Sequence, residues 1–124
     1  MNRGGSLSEA ELHVLVAAYL ARSVVAPWRY STFPAGGGGL LRGARLKAAG
    51  LARGWPDIML LHPSGLWHGL ELKSTAGRVR PDQVSFIEWA GGRVAVCRSL
   101  DQVEATLRAW GVPLKATTGL RRAA

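Results

Sequence analysis

Cysteine is nearly absent from this sequence: Cys97 is the single one in 124 residues, beside three histidines that share no ligand spacing. A lone thiol closes no internal disulfide, and one Cys with scattered His makes neither a zinc finger nor any other zinc-ligand pattern. Acids are also scarce, with eight Asp and Glu against sixteen Lys and Arg, a formal charge of +8. Thirteen of the sixteen cations are Arg, whose planar fork suits phosphate, so a polyanionic partner is indicated. No apolar run approaches the ~20 residues of a membrane span, and the N-terminal stretch MNRGGSLSEAEL lacks the apolar centre of a signal peptide. A cytoplasmic protein with no membrane partner is the expectation. The run Ala35 to Gly39 lacks the Gly-Lys-Ser/Thr ending of a phosphate loop, so no nucleotide cofactor is expected and a loop is. What is present is 48% apolar and 19% charged residues, a globular balance that fits one domain over 1–124, with its core at about 8–111 and a loose basic tail over 112–124.

The apolar periodicity predicts a first helix over Ser8 to Arg22, with Leu12, Leu15, Val16, Tyr19 and Leu20 as its core stripe. Ser8 and Glu11 have the spacing of a capping box, which leaves Glu9 without a capping duty. At about 100° per residue Glu9 falls roughly 50° from the centre of the stripe and Glu11 roughly 110°, so Glu9 points nearer the core. A short strand follows around Trp28 to Phe33, then a short basic helix over Leu41 to Gly50. Ile58 to Leu61 and Leu66 to Lys73 read as a hairpin turned at residues 62–65. Along the second strand Leu66, His68, Leu70 and Leu72 take one face, and Trp67, Gly69, Glu71 and Lys73 the other. Pro81 opens another helix that stops at Gly91, Arg93 to Arg98 is a further strand, and Ser99 caps a last helix carrying Val103, Leu107 and Trp110. The order implies an α/β layer arrangement around a small mixed sheet.

The informative spacing is Pro56-Asp57 at the head of one strand and Glu71-Leu72-Lys73 at the end of its hairpin partner. The turn at 62–65 brings position 57 near position 71, so both carboxylates can reach one point. Oxygen ligands with open positions suit Mg²⁺ or Mn²⁺, and Lys73 can offer its ammonium to an attacking water or a phosphoryl oxygen. Together these make a phosphodiesterase constellation. The competing reading is structural, with Asp57 capping a turn after Pro56 and Glu71 and Lys73 forming a surface pair along a strand edge.

Five ordered segments carry a family resemblance: Arg45-Leu-Lys-Ala-Ala-Gly50, Gly54-Trp-Pro-Asp-Ile58, Gly69-Leu-Glu-Leu-Lys73, Pro81-Asp-Gln83 and Gly91-Gly-Arg-Val-Ala-Val96. Over roughly residues 8–111 the chain resembles the VRR-NUC nucleases of the PD-(D/E)xK superfamily. The resemblance implies a restriction-endonuclease-like αβββαβ core, here followed by a C-terminal helix. It also implies divalent-metal-dependent cleavage of DNA by small homodimers acting on branched substrates such as Holliday junctions, in phage or mobile-element DNA processing. Asp57 and Glu71 match the family's metal-binding acids, Lys73 its catalytic lysine, and Gln83 the glutamine of the following helix. Glu9 matches the first-helix acid, with His13 standing where Gln is common. The mechanism this suggests has Glu9, Asp57, Glu71 and the carbonyl of Leu72 holding Mg²⁺ or Mn²⁺, while Gln83 bonds to Lys73 or to a metal-bound water.

Arg42, Arg45, Lys47 and Arg53 form the densest cationic stretch of the interior and are candidate phosphate contacts. Trp89 and Trp110 fall on helices and are read as core or interface, whereas Trp55 and Trp67 flank the site, with stacking on DNA as the lesser reading. His68 reads as an interior residue and Cys97 as a buried strand residue rather than a nucleophile. Two alternatives to a structure-selective nuclease stay open: a non-catalytic basic DNA-binding module, and a nicking nuclease on ordinary duplex.

Overall fold

The computed structural model describes residues 7–33, 45, 48–50 and 52–115. Among them the elements are α1 (Glu9–Ser23), β1 (Arg29–Thr32), β2 (Ile58–Leu61), β3 (Trp67–Leu72), α2 (Pro81–Ala90), β4 (Val94–Cys97) and α3 (Leu100–Ala109). This is the αβββαβ order with a C-terminal helix. The basic helix expected over Leu41 to Gly50 lies mostly outside the described residues, as do Arg42 and Lys47. No helix among the described residues is long and apolar enough to cross a membrane.

The capping box at the start of α1 is complete: the Glu11 amide donates to the Ser8 hydroxyl at 3.1 Å and the Ser8 amide to the Glu11 carboxylate at 2.8 Å. Such a cap stabilises a helix by about 1 kcal/mol. The buried stripe of α1 is Leu12, Val16, Tyr19, Leu20 and Ser23, and Leu15, expected in the core, is 41% exposed. At about 100° per residue Leu15 lies roughly 80° from the centre of the stripe that is covered, just beyond the reach of the neighbouring elements.

The four strands are ordered β1-β2-β3-β4, with β1, β2 and β3 antiparallel and β3-β4 parallel. A parallel neighbour requires a crossover rather than a tight turn, and α2 supplies it. β3 is central and alternates as its sequence dictates. His68, Leu70 and Leu72 join Ile58 and Leu60 on one face, while Trp67, Gly69 and Glu71 occupy the other. On the first face α1 and α3 close an apolar core with Leu12, Val16, Leu20, Leu70, Leu72, Cys97, Val103 and Leu107. His68, 7% exposed, lies in this layer with Trp110 stacked on it at 3.9 Å and Trp28 at 6.3 Å. Cys97 is fully buried and its thiol is pushed up by burial, which suits a packing residue.

Candidate active site

Glu9 opens α1, Asp57 precedes β2, Glu71 lies near the end of β3 with Lys73 just beyond it, and Gln83 is in the first turn of α2. All five meet at one end of the sheet. Pairing of Ile58 with Leu70 carries the register on to Asp57 beside Glu71, as the hairpin spacing requires. Asp57 is held there in two ways. Its Oδ2 accepts from the Leu72 amide at 2.7 Å, and the preceding Pro56 ring packs against β3 at Gly69. A Cβ on Gly69 would come within 2.6 Å of Pro56 Cγ, so the glycine is the space into which the Pro-Asp turn fits. Gly54 works the same way on α2: its φ is +89°, and a Cβ there would stand 2.5 Å from the Asp82 carbonyl oxygen.

Glu71 and Lys73 are 2% and 5% exposed, so they are not a surface pair along a strand edge. The Lys73 Nζ lies 3.6 Å from Glu71 Oε2 and 4.0 Å from Glu9 Oε1, and thus joins the helix-one acid to the strand acid. Gln83, for which the sequence offers Lys73 or a metal-bound water as partner, donates from Nε2 to Glu71 Oε2. Its Oε1 accepts from the Arg80 amide at 2.8 Å, which fixes the amide's orientation. The reason is the sheet face: α2 covers the side on which Glu71 points, so the Gln83 amide meets that carboxylate first.

The electrostatics follow from gathering acids out of water. Burial is the largest influence on Glu71, the neighbouring Asp57 charge is next, and together they push its carboxyl up to about 7 against the partial relief of Lys73. Asp57 is also raised, by burial first and by Glu9, against the Leu72 amide bond and the charges of His13 and Lys73. His13 therefore stands where its charge favours ionised Asp57. Among the described residues no three His, Cys, Asp or Glu groups close on one point as a finished metal cage; the carboxylates are gathered around Lys73. The donor chemistry nonetheless fits a hard divalent cation. Three carboxylates act on one another, two are pushed toward the neutral form, and a 2+ charge among them would reverse that push. Glu9, whose side chain is 47% exposed, is the acid with most freedom to turn toward such an ion.

Spacing and periodicity did not indicate several supports of this site. Gly54 and Gly69 are two. Arg98, just after β4, is a third: its Nη1 donates to the carbonyls of Ser74 and Gly77, each at 2.7 Å, and to that of Thr75 at 3.3 Å. The guanidinium thereby gathers the segment that leaves Lys73 for α2. Of the candidate phosphate contacts, Arg45 is exposed, and Arg53 is 75% exposed with its Nε 3.4 Å from Asp82.

No protein-family model matches the chain, and no curated protein matches it. A solved structure described as a VRR_NUC domain protein does match, with a TM-score of 0.62 and 21% identity over 84% of this chain and 88% of that one. What the two share at this identity is the fold.

Proposed function

We propose that this chain, which has the fold of a VRR_NUC domain protein, is a Mg²⁺- or Mn²⁺-dependent endodeoxyribonuclease that acts on branched DNA such as a Holliday junction. The observation that carries the reading is the convergence of Glu9, Asp57, Glu71 and Lys73 from three separate elements. Three of only eight acids in a chain of net charge +8 share one field, at a cost that a purely structural site would avoid.

When bound by Glu9, Asp57, Glu71 and the Leu72 carbonyl, a divalent cation supplies Lewis-acid polarisation of the scissile phosphate and lowers the pKa of a water there. The protein's own groups do the rest. Lys73 orients the attacking water and offsets charge developing on the phosphoryl oxygens, since its ammonium is already held at the acid cluster. Gln83 keeps the Glu71 carboxylate in one rotamer, and the Leu72 amide does the same for Asp57. Arg45 and Arg53, with Arg42 and Lys47 of the same basic stretch, contact backbone phosphates in a salt-sensitive way. A symmetric homodimer brings two such sites to two strands, the arrangement a four-way junction needs.

The test is cleavage of a labelled four-way junction and a matched linear duplex in Mg²⁺, Mn²⁺ or chelator, by the wild type and by Asp57→Asn. Metal-dependent cutting of the junction, absent from Asp57→Asn while DNA binding persists, is the expected outcome. Equal cutting of both substrates would make the protein a nicking nuclease on ordinary duplex. Binding without turnover in any metal would make it a basic DNA-binding module.

A further inference from the structure

Away from the acid cluster, the α2 side of the molecule carries a continuous row of aromatic rings. Trp55, two residues before Asp57, meets Phe86 with ring centroids 5.2 Å apart, and Phe86 meets Trp89 at 5.5 Å. Trp89 in turn lies over Trp67 at 6.3 Å, with planes inclined by 29°, and the guanidinium of Arg93 sits 5.6 Å from the Trp67 ring centre. These rings are not core. Trp89 is 74% exposed and Trp55 49%, and an indole displayed this openly on a helix is the informative case, in contrast to Trp110 in the core layer.

The row has a direction. Gln83, Phe86 and Trp89 are spaced by three along α2, so Gln83 touches Glu71 while the rings continue from it over about 9 Å of helix. The charge beside it has a sign. Arg93 lies on the Trp67 ring at one end, and beside Trp55 the pair Arg53 and Arg80 outnumbers Asp82 between them. Glu88 is the other acid of the helix. Stacked rings beside cations, on a chain of net charge +8, complement a polyanion that has π-faces.

We propose that Trp55, Phe86, Trp89 and Trp67 form a stacking platform for the bases of an unpaired DNA strand running between the candidate active site and Arg93. The substrate would then be a branched DNA with a single-stranded arm or a locally opened junction. The direction of the strand rests on the nuclease reading, whereas the platform itself is measured without catalysis.

The experiment uses the full chain in chelator, with a labelled oligodeoxythymidylate and an abasic strand of equal length and charge. The expected result is about tenfold tighter binding of the base-bearing strand, with quenching of tryptophan emission. Trp89→Ala should remove most of that preference and leave the abasic affinity unchanged, and Trp89→Phe should restore part of it. Because Trp89 is the most exposed ring, neither substitution disturbs the core. Equal affinity of the wild type for both strands would overturn the proposal, as would a preference unchanged in Trp89→Ala. Conversion of a dimer to a monomer by Trp89→Ala, with DNA binding intact, would overturn it in favour of a second copy on this face. Junction cleavage in Mg²⁺ is read separately on the same wild-type preparation. Cleavage without base preference would sink the platform alone, and base preference without cleavage would support the platform and sink the nuclease reading alone.

Discussion

Two glutamates of this protein are buried to the same extent, at 2% exposure, and have opposite surroundings. Glu104 on α3 has Arg108 one helical turn away, and that guanidinium gives its Oε2 two bonds, 3.0 Å from Nε and 2.9 Å from Nη2. The Arg108 side chain is 50% exposed, so the cation of the pair keeps much of its water. Glu71 has a cation that is itself buried, shared with Glu9, and offset by Asp57. Its remaining bond comes from a neutral amide. Burial therefore does not separate the acid proposed to hold a metal from the acid of an internal ion pair; unmatched charge does.

Exchanging each acid for its amide breaks the comparison most directly. Glu71→Gln should lower metal-dependent cleavage by about 10³-fold or more, since a neutral amide neither holds a divalent cation nor pairs with Lys73. Glu104→Gln should leave cleavage unchanged and cost about 2 kcal/mol in urea unfolding, through loss of a charge-assisted pair. Unimpaired turnover in Glu71→Gln, or its collapse in Glu104→Gln, would reverse the roles.

The next effect is on stability and depends on pH. The folded-state pKa of Glu71, about 7, is above its ordinary 4.5, so the folded state holds this proton more tightly than the unfolded one. That contribution is complete below pH 4.5 and is lost as the pH rises through 7. At 1.36 kcal/mol per pH unit the gap corresponds to about 3 kcal/mol at most. In chelator, the stability of Glu71→Gln relative to wild type should thus be flat well below pH 4.5, rise between pH 4.5 and 7, and gain up to about 3 kcal/mol by pH 8, as read from denaturant midpoints. A saturating divalent cation should stabilise the wild type more at pH 8 than at pH 5, because the ion replaces the proton. A difference that stays flat across this range would mean that Glu71 is not charge-strained.

Gly69→Ala addresses the scaffold beneath the acids and should act less strongly. The added methyl meets the Pro56 ring, and either the ring or β3 must shift. Overpacking of this kind costs about 1–3 kcal/mol. Because Pro56 carries Asp57, cleavage should fall further than stability alone explains, with the melting temperature and the turnover number measured side by side.

These contrasts also show what the sequence makes legible. The bounds of β2, the capping box at Ser8 and Glu11, the start of α2 at Pro81 and the alternation of β3 are local signals, and each is found where spacing places it. The helical wheel with the occupied cap turns Glu9 nearer the core than Glu11, and its carboxylate lies 4.0 Å from Lys73 while its side chain stays 47% exposed; the pairing with Lys73 itself carried no local signal. Contacts between remote segments had no such signature. Pro56 on Gly69, Gly54 on Asp82 and the Gln83 bond to Glu71 depend on how α2 sits on the sheet. Leu15 and Trp89 mislead for the same reason, since periodicity shows that a helix has an apolar side but not how far its neighbours extend over it.

Arg98 offers the smallest and most selective effect. Its Nη1 meets three carbonyls of residues 74–77, which gathers the segment joining Lys73 to α2 without touching any acid of the site. Lysine in its place keeps the charge but loses the planar donor geometry, so Arg98→Lys should retain part of the clamp and Arg98→Ala none of it. Loss of the clamp should loosen the position of Lys73, the residue proposed to act on the reacting groups, more than it affects the binding of DNA. The turnover number should therefore fall several-fold in Arg98→Ala and less in Arg98→Lys, with KM nearly constant and a stability loss of about 1 kcal/mol. A rise in KM at constant turnover would instead place Arg98 among the phosphate contacts, and Lys73 would then owe its position to Glu71 and Glu9 alone.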